Sequence, residues 1–340
     1  MVSSDSLLQA PAWFLYLAIL GALYVAPFLL RLLAHLALCL RRRPVDLRRR
    51  YGAWAVVTGP TSGIGRSVAM ELASRGLNLV LVDLSASNLR EVSDTIGSRH
   101  AVQTRTVEFD LSLVATPQGE EAMARLREAV AGLDVGVLVN NAGMVAPGAR
   151  YLHEADVEAW VRIVRVNLWA VTEVTAAVLP GMVERGRGAI LNMGSSSSEA
   201  IPSFPLYTVY AATKRYVAHF SRSLHVEYRS RGVHVQCQAP FYVATKMVST
   251  FAEVTPLFVS LVAPTPDAYA RAAVRWIGHG PPLCTPKLGH QVLWCLAAVV
   301  PDCVHDWLRL REHRCHRHRE LLQRQSSARP AGAAPGVPTK

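Results

Sequence analysis

Tyr210 and Lys214 stand one helical turn apart in the run VYAATKRYV, so both side chains fall on one face of a helix. A phenol ordinarily titrates near 10 and is a poor acid or base at neutral pH; a neighbouring ammonium favours the phenolate and is expected to lower that value. Such a pair can hand a proton to a ketone oxygen as a hydride arrives, or take one from an alcohol. Two residues at this spacing prove little alone. They gain meaning from the consecutive serines Ser195, Ser196, Ser197 and Ser198 upstream and from the glycine turn Gly59, Gly63, Gly65 near the start of the chain. Closely spaced turn glycines ahead of a helix let backbone N–H groups approach a pyrophosphate.

The elements that must position these residues follow from the hydrophobic pattern. Ala55 to Val57 is a short apolar run of the kind found in a strand buried on both faces. After the glycine turn, Val68, Ala69, Leu72 and Ala73 recur at helical spacing, and Arg75-Gly76 is a helix stop. A second strand, Leu77 to Val82, ends at Asp83, where a carboxylate can accept hydrogen bonds from a ribose. Downstream, helices are predicted over Ser87–Ser98, Gln118–Ala131, Val157–Val178 and Tyr210–Arg229. Strands are predicted over Val102–Phe109, Val135–Val139, Ala189–Met193 and Val233–Gln238. This alternation specifies an α/β fold, a Rossmann-type doubly wound parallel sheet. Gly59, Asp83, Asp110, Asn141, Ser195 and Pro240 all fall at strand ends, where ligands of such sheets bind.

The chain of 340 residues holds one such domain plus extensions. It is 51% apolar and carries a net charge of +11, concentrated in two flanks. Arg31 to Arg50 contains seven arginines and one aspartate; Arg309 to Lys340 contains seven arginines, one lysine and two glutamates. The remainder is close to neutral, which argues against a nucleic-acid groove and for a membrane surface. Leu7 to Leu30 has no charged side chain and is long enough to cross a bilayer core of about 30 Å. Pro27 within it suits either a kinked span or a re-entrant anchor. The arginines that follow place the downstream domain in the cytosol, and the missing basic n-region speaks against a cleaved signal peptide. The six cysteines show no framework spacing and read as free thiols. The tract His313-Arg314-Cys315-His316-Arg317-His318 reads as a solvated helix end, its arginines repelling a divalent cation, so no metal site is expected. The expected organisation is an anchor and basic flank over 1–50, a dinucleotide-binding catalytic domain over 51–250, a substrate-side, membrane-facing helical cover over 251–310, and a basic, disordered tail over 311–340.

TGPTSGIG, NNAG, Asn167 within VRVNLWA, LNMGS and YAATK together resemble the short-chain dehydrogenase/reductase family across Tyr51 to Met247. RRYGAWAVVTGPTSGIG, GLDVGVLVNNAGM, LPGMVERGRGAI, HVEYRSRGVHVQCQAP and YVATKM are further similar to the membrane-anchored very-long-chain 3-oxoacyl-CoA reductases, the plant 3-ketoacyl-CoA reductase and 17β-hydroxysteroid dehydrogenase branch. The resemblance implies nicotinamide-dependent reduction of a long-chain 3-oxoacyl-CoA in fatty-acid elongation. It implies residence in the endoplasmic reticulum membrane, other elongation enzymes as partners, and a homodimer. It casts Tyr210 as proton donor, Lys214 as the cation that lowers its pKa and holds the nicotinamide ribose, and Asn167 as the holder of a relay water. Ser195 would bond the substrate carbonyl; counting back from Tyr210 instead lands on Ser197, so both stay open. Cofactor contacts carry over to Gly59, Thr61, Ser62, Gly63, Ile64, Gly65, Asp83, Asp110, Asn141, Gly143 and Thr245, besides Tyr210 and Lys214. The branch uses NADPH and ordinarily shows a small residue and an Arg after the second strand; here Asp83-Leu84 stands instead, which leans to NAD(H). Two rival readings follow: an NAD-dependent dehydrogenase of steroid or lipid alcohols, and a catalytically weak scaffold of an elongation complex.

Overall fold

The computed structural model describes residues 11–41, 45–145, 148–245 and 263–328. Helix α1 (Ala12–Arg41) leads through a short helix α2 (Leu47–Tyr51) into strand β1 (Trp54–Thr58). Then follow α3 (Gly63–Ser74), β2 (Asn78–Asp83), α4 (Ala86–Arg99), β3 (Thr104–Glu108), α5 (Pro117–Val130) and β4 (Val135–Asn140). Next come α6 (Val157–Val164), a π-helical turn (Arg165–Trp169) and α7 (Ala170–Glu184). The chain continues with β5 (Gly188–Met193), the one-turn α8 (Ser196–Glu199), α9 (Thr208–Tyr228), β6 (Val233–Gln238), α10 (Pro266–Trp276), β7 (Leu283–Cys284), α11 (Leu288–Ala297) and α12 (Asp302–Ala328).

The seven strands form one sheet in the order β3-β2-β1-β4-β5-β6-β7, every neighbour pair parallel. The order reverses between β1 and β4, which opens a crevice above their carboxyl ends. Strands β1, β4 and β5 are buried along their whole length, because helices cover both faces. One core lies between the sheet and α3, α4 and α10; the other lies between the sheet and α5 and α7. The long helix expected over Val157–Val178 is two helices joined by the π turn, and Pro180 inside α7 does not end it.

Two regions differ from expectation. The tail expected to be disordered from residue 311 is helical as far as Ala328, because His313 and His316 are buried against the body and anchor it. The His/Arg tract is therefore not a solvated helix end. Residues 329–340 lie outside the described residues, as do Leu7–Ala10 of the apolar segment and 251–262 of the expected cover. The cover also contains an unexpected strand, β7, which pairs with the last residues of β6. Helix α1 is long and apolar enough to cross a membrane and continues past Leu30 to Arg41. Its second half packs on the body: His35 is buried and stacks on Trp276 at 4.9 Å, while Pro11 to Val25 are exposed. All six cysteines are free.

Candidate active site

The glycine turn sits between β1 and α3. Gly59 (φ +68°) and Gly63 (φ +53°) occupy the left-handed region that other residues adopt only with strain. At Gly65 a Cβ would fall 2.0 Å from the Gly59 carbonyl oxygen and 2.3 Å from Asn141 Nδ2, so only glycine permits this approach of turn and helix. Ser62 takes the N-cap position without capping through its side chain, so the first N–H groups of α3, beginning at Gly63 and Ile64, are left for an anion. This cradle fits a dinucleotide pyrophosphate. Thr245 borders it, its Cγ2 3.3 Å from where a Gly63 Cβ would lie.

Around the turn the expected residues converge. Asn141 donates through Nδ2 to the carbonyls of Thr58 and Gly59, both at 3.1 Å, and its own N–H donates to Thr58 Oγ1. Asp83 closes β2, accepting from Thr61 Oγ1 at 2.7 Å and Thr61 N at 3.3 Å through Oδ2, and from Leu84 N through Oδ1. Asp110, one strand further out, caps a 3₁₀ turn by accepting from Ser112 N at 2.9 Å.

The catalytic candidates gather over β4 and β5. Tyr210, in the first turn of α9, hydrogen-bonds through its hydroxyl with both Ser195 and Ser197. The two serine hydroxyls are themselves 2.7 Å apart, and Ser195 accepts from Ser197 N. Both serines therefore reach the phenol. Lys214 is buried, donates to the Met193 carbonyl at 2.9 Å, and its Nζ lies 3.2 Å from where a Gly143 Cβ would stand. Asn167 is fully buried in the π turn; it accepts from Met144 N at 2.7 Å and donates to Met144 O and to Thr213 Oγ1. A π turn at a functional residue re-aims a side chain that a regular helix would carry elsewhere.

The electrostatics depart from expectation at Tyr210. Loss of water pushes its pKa up, and the two serine hydrogen bonds only pull it partly back. The lowering that Lys214 was expected to impose does not govern the phenol, because the ammonium is directed to Met193. Lys214 itself is pushed down to about 8 by burial. A protonated phenol at neutral pH suits a proton donor, since the alkoxide left by hydride addition is a far stronger base.

Other contributors carried no sequence signal. A buried chain of hydrogen bonds runs from Thr175 on α7 through Asn140 on β4 and Asn192 on β5 to Ser221 on α9, with links of 2.8 to 2.9 Å. It ties the helix that bears Tyr210 and Lys214 to the sheet through buried side chains, with Asn140 Oδ1 the one atom of the chain left without a donor. The turn ahead of α9 holds Leu206 at φ +63°, a strained position pinned by Arg150 N donating to its carbonyl. Phe204 and Tyr207 from that turn pack against His313 of α12, and Phe204 also faces Tyr210, ring centres 6.5 Å apart. Among the described residues no cluster could hold a metal ion.

Comparison with known proteins agrees with this geometry. A family profile described as short chain dehydrogenase matches residues 53–255. The chain is 46% identical over 263 residues to a very-long-chain 3-oxoacyl-CoA reductase-like protein of Arabidopsis thaliana, covering 77% of this chain and 81% of that one. It is 38% identical to the very-long-chain 3-oxoacyl-CoA reductase of Rattus norvegicus, over 75% and 78% of the two chains. It is also 37% identical to a protein of Pongo abelii named inactive hydroxysteroid dehydrogenase-like protein 1, over 77% and 76%. Among solved structures, a short-chain dehydrogenase from Sphingobium yanoikuyae in complex with NADPH superposes with a TM-score of 0.60 at 26% identity, covering 84% and 99%.

Proposed function

Since the chain belongs to the short-chain dehydrogenase family, we propose that it reduces the 3-oxo group of long-chain acyl-CoA to the 3-hydroxy product. The observation that carries this reading is the phenol of Tyr210 set against the hydroxyls of Ser195 and Ser197 above the carboxyl end of β5, with Lys214 buried one helical turn away. The glycine turn with Gly59, Gly63 and Gly65 would hold a nicotinamide dinucleotide, which would supply the hydride when bound. Ser195 and Ser197 hold the ketone oxygen, and Tyr210 delivers its proton to that oxygen as negative charge develops there. Lys214 keeps two ammonium protons beyond the one given to Met193, which suits it to hold a ribose hydroxyl beside the phenol. Asn167 keeps Met144 and Thr213 in place behind the pair and is suited to position a relay water. Thr61, Ser62, Gly143, Thr245 and Asp110 complete the proposed cofactor contacts.

The cofactor preference is proposed to lie with NAD(H). Asp83 is fixed at the rim of the turn by Thr61, and the next residue, Leu84, is exposed and offers no cation to a 2′-phosphate. The exposed apolar half of α1 supports membrane association; a cytosolic catalytic domain at the endoplasmic reticulum, with other elongation enzymes as partners, is proposed with it from the likeness to the very-long-chain 3-oxoacyl-CoA reductases. The second reading, an inactive scaffold, is favoured by the relative named inactive. Against it stands the assembled set Asn167, Ser195, Tyr210 and Lys214. The deciding experiment is the rate on a long 3-oxoacyl-CoA with NADH and with NADPH. A reductase rate higher with NADH is expected; a much higher kcat/KM with NADPH overturns the preference and directs attention to Arg66, and no rate with either cofactor overturns the activity.

A further inference from the structure

Helix α1 climbs the body in a fixed order of contacts. Leu38 lies at Gly280 and His35 on Trp276; Arg31 stands over Trp294 at 4.3 Å, Phe28 O accepts from Cys295 Sγ, and Tyr24 donates to Val299 O at 3.2 Å. The first of these contacts lies toward the side where strands begin, for Gly278, two residues before Gly280, adjoins Tyr51 at the end of α2, just ahead of β1. The last lies on the side where strands end, for α11 reaches the loop after β6 through His290 and Tyr242 O, and α12 reaches the loop after β5 through Asp306 and Ser203. The exposed half of α1 therefore projects from the catalytic side of the sheet.

Where α1 leaves the body, the elbow between α11 and α12 exposes Leu296, Val299, Val304, Trp307 and Leu308, with Trp307 58% accessible. Arg311 follows on the exposed side and lies over the Trp307 ring, while Arg309 pairs with Glu312 and Arg314 bonds the Tyr151 hydroxyl. Apolar residues continuous with a membrane helix and edged by the exposed Arg311 match a bilayer's acyl layer and its phosphates in turn. The same helix then turns inward. His313 is fully buried, bonds through Nδ1 to the Pro205 carbonyl, and packs edge-on to Phe204 at 4.5 Å, the ring that faces Tyr210. Trp307 and His313 are six residues apart, so about 9 Å of helix separates the exposed elbow from the wall of the site.

We propose that the α11–α12 elbow is immersed in the bilayer surface and that the acyl chain of the substrate reaches Tyr210 from the lipid along the underside of α12. This rests on the reading of the substrate as a long-chain 3-oxoacyl-CoA. The occupant is a lipid bilayer, because the elbow adjoins the helix whose apolar residues already need one.

The test uses the full-length protein in phosphatidylcholine–phosphatidylserine vesicles, comparing parent with Trp307→Glu/Leu308→Glu. The expected result is a fall of tenfold or more in kcat/KM for a long-chain 3-oxoacyl-CoA with the rate on a short-chain one unchanged, since a short chain does not reach the lipid. Equal loss on both chains, or no loss on either, overturns the proposal. In parallel, brominated acyl chains should quench the parent's tryptophan fluorescence more than that of Trp307→Phe, and equal quenching overturns the immersion. If the parent turns over neither chain, the activity assignment fails, while the quenching still decides the surface.

Discussion

The cofactor side of the cleft and its substrate side are held by different kinds of contact. Between Thr58 and Asp83 the cleft is shaped by backbone: two left-handed glycines, a third that admits no Cβ, and hydrogen bonds to main-chain carbonyls at 3.1 Å. On the substrate side, side chains of α12 grip two loops more than a hundred residues upstream. Arg317 forks onto Glu154 and stacks over Tyr151, Arg314 bonds the Tyr151 hydroxyl, and His313 bonds Pro205. Backbone geometry tolerates few residue types, whereas a wall of ion pairs and rings can be rebuilt from many. The first kind of construction suits a ligand part that stays constant, the second a substrate that differs from one relative to another.

The sharpest way to break this comparison is at the seam between the two sides. Tyr210→Phe should lower kcat by about 10²–10⁴-fold while the melting temperature stays close to the parent's, because only the proton donor is lost. A rate near the parent's would leave the scaffold reading standing. On the cofactor side, Asp83→Ser with Leu84→Arg should raise kcat/KM for NADPH over NADH by about tenfold or more, measured side by side, since a bidentate cation replaces a repelling carboxylate. Ser195→Ala and Ser197→Ala should each slow reduction by about tenfold. Because the two hydroxyls share one hydrogen bond with each other and both reach Tyr210, the double variant should lose less than the product of the singles.

Two smaller effects separate the sides by pH. Burial holds Lys214 near 8, below its unfolded value, so the folded state binds fewer protons than the unfolded one between about 8 and the ordinary lysine range. Its burial penalty is full below 8 and fades as pH rises, so the stability of the parent relative to Lys214→Met should improve by about 2–3 kcal/mol from pH 7 to pH 10.5 in denaturant unfolding. Burial likewise holds His313 at about 4, with Arg309 and His316 adding repulsion. The unfolded state takes up the proton first as pH falls, so stability present above about 6.5 is lost toward pH 4. His313→Phe should remove about 1–2 kcal/mol of that acid sensitivity, read as a flatter unfolding profile between those limits.

The same contrast explains what could be read from residue order. Strands β1 to β6, the glycine turn, Asp83, Asn141 and the Tyr210–Lys214 pair were legible because each depends on local periodicity, a backbone constraint or a fixed spacing. Asn140, Thr175, Asn192 and Ser221 were not, for a buried polar residue looks like any other until its partner from a distant segment is known. The α12 strap was hidden for another reason. Its arginines and histidines have the composition of a solvated segment, and partners in distant segments, among them Glu154, Tyr151 and the carbonyl of Pro205, make them interior. The direction of the Tyr210 shift was not legible, because spacing along a helix shows that two groups share a face but not where each one points.

The π turn at Arg165–Trp169 makes chain length at that point a structural quantity. Each helical residue adds about 100° of rotation, so removing one from the turn to restore a regular helix would swivel everything beyond it by that angle. Either Val174 and Val178 would roll off the sheet, or Asn167 would lose Met144 and Thr213. A one-residue deletion here acts as a wrong turn of a key, where the same deletion in an exposed loop would pass with little effect.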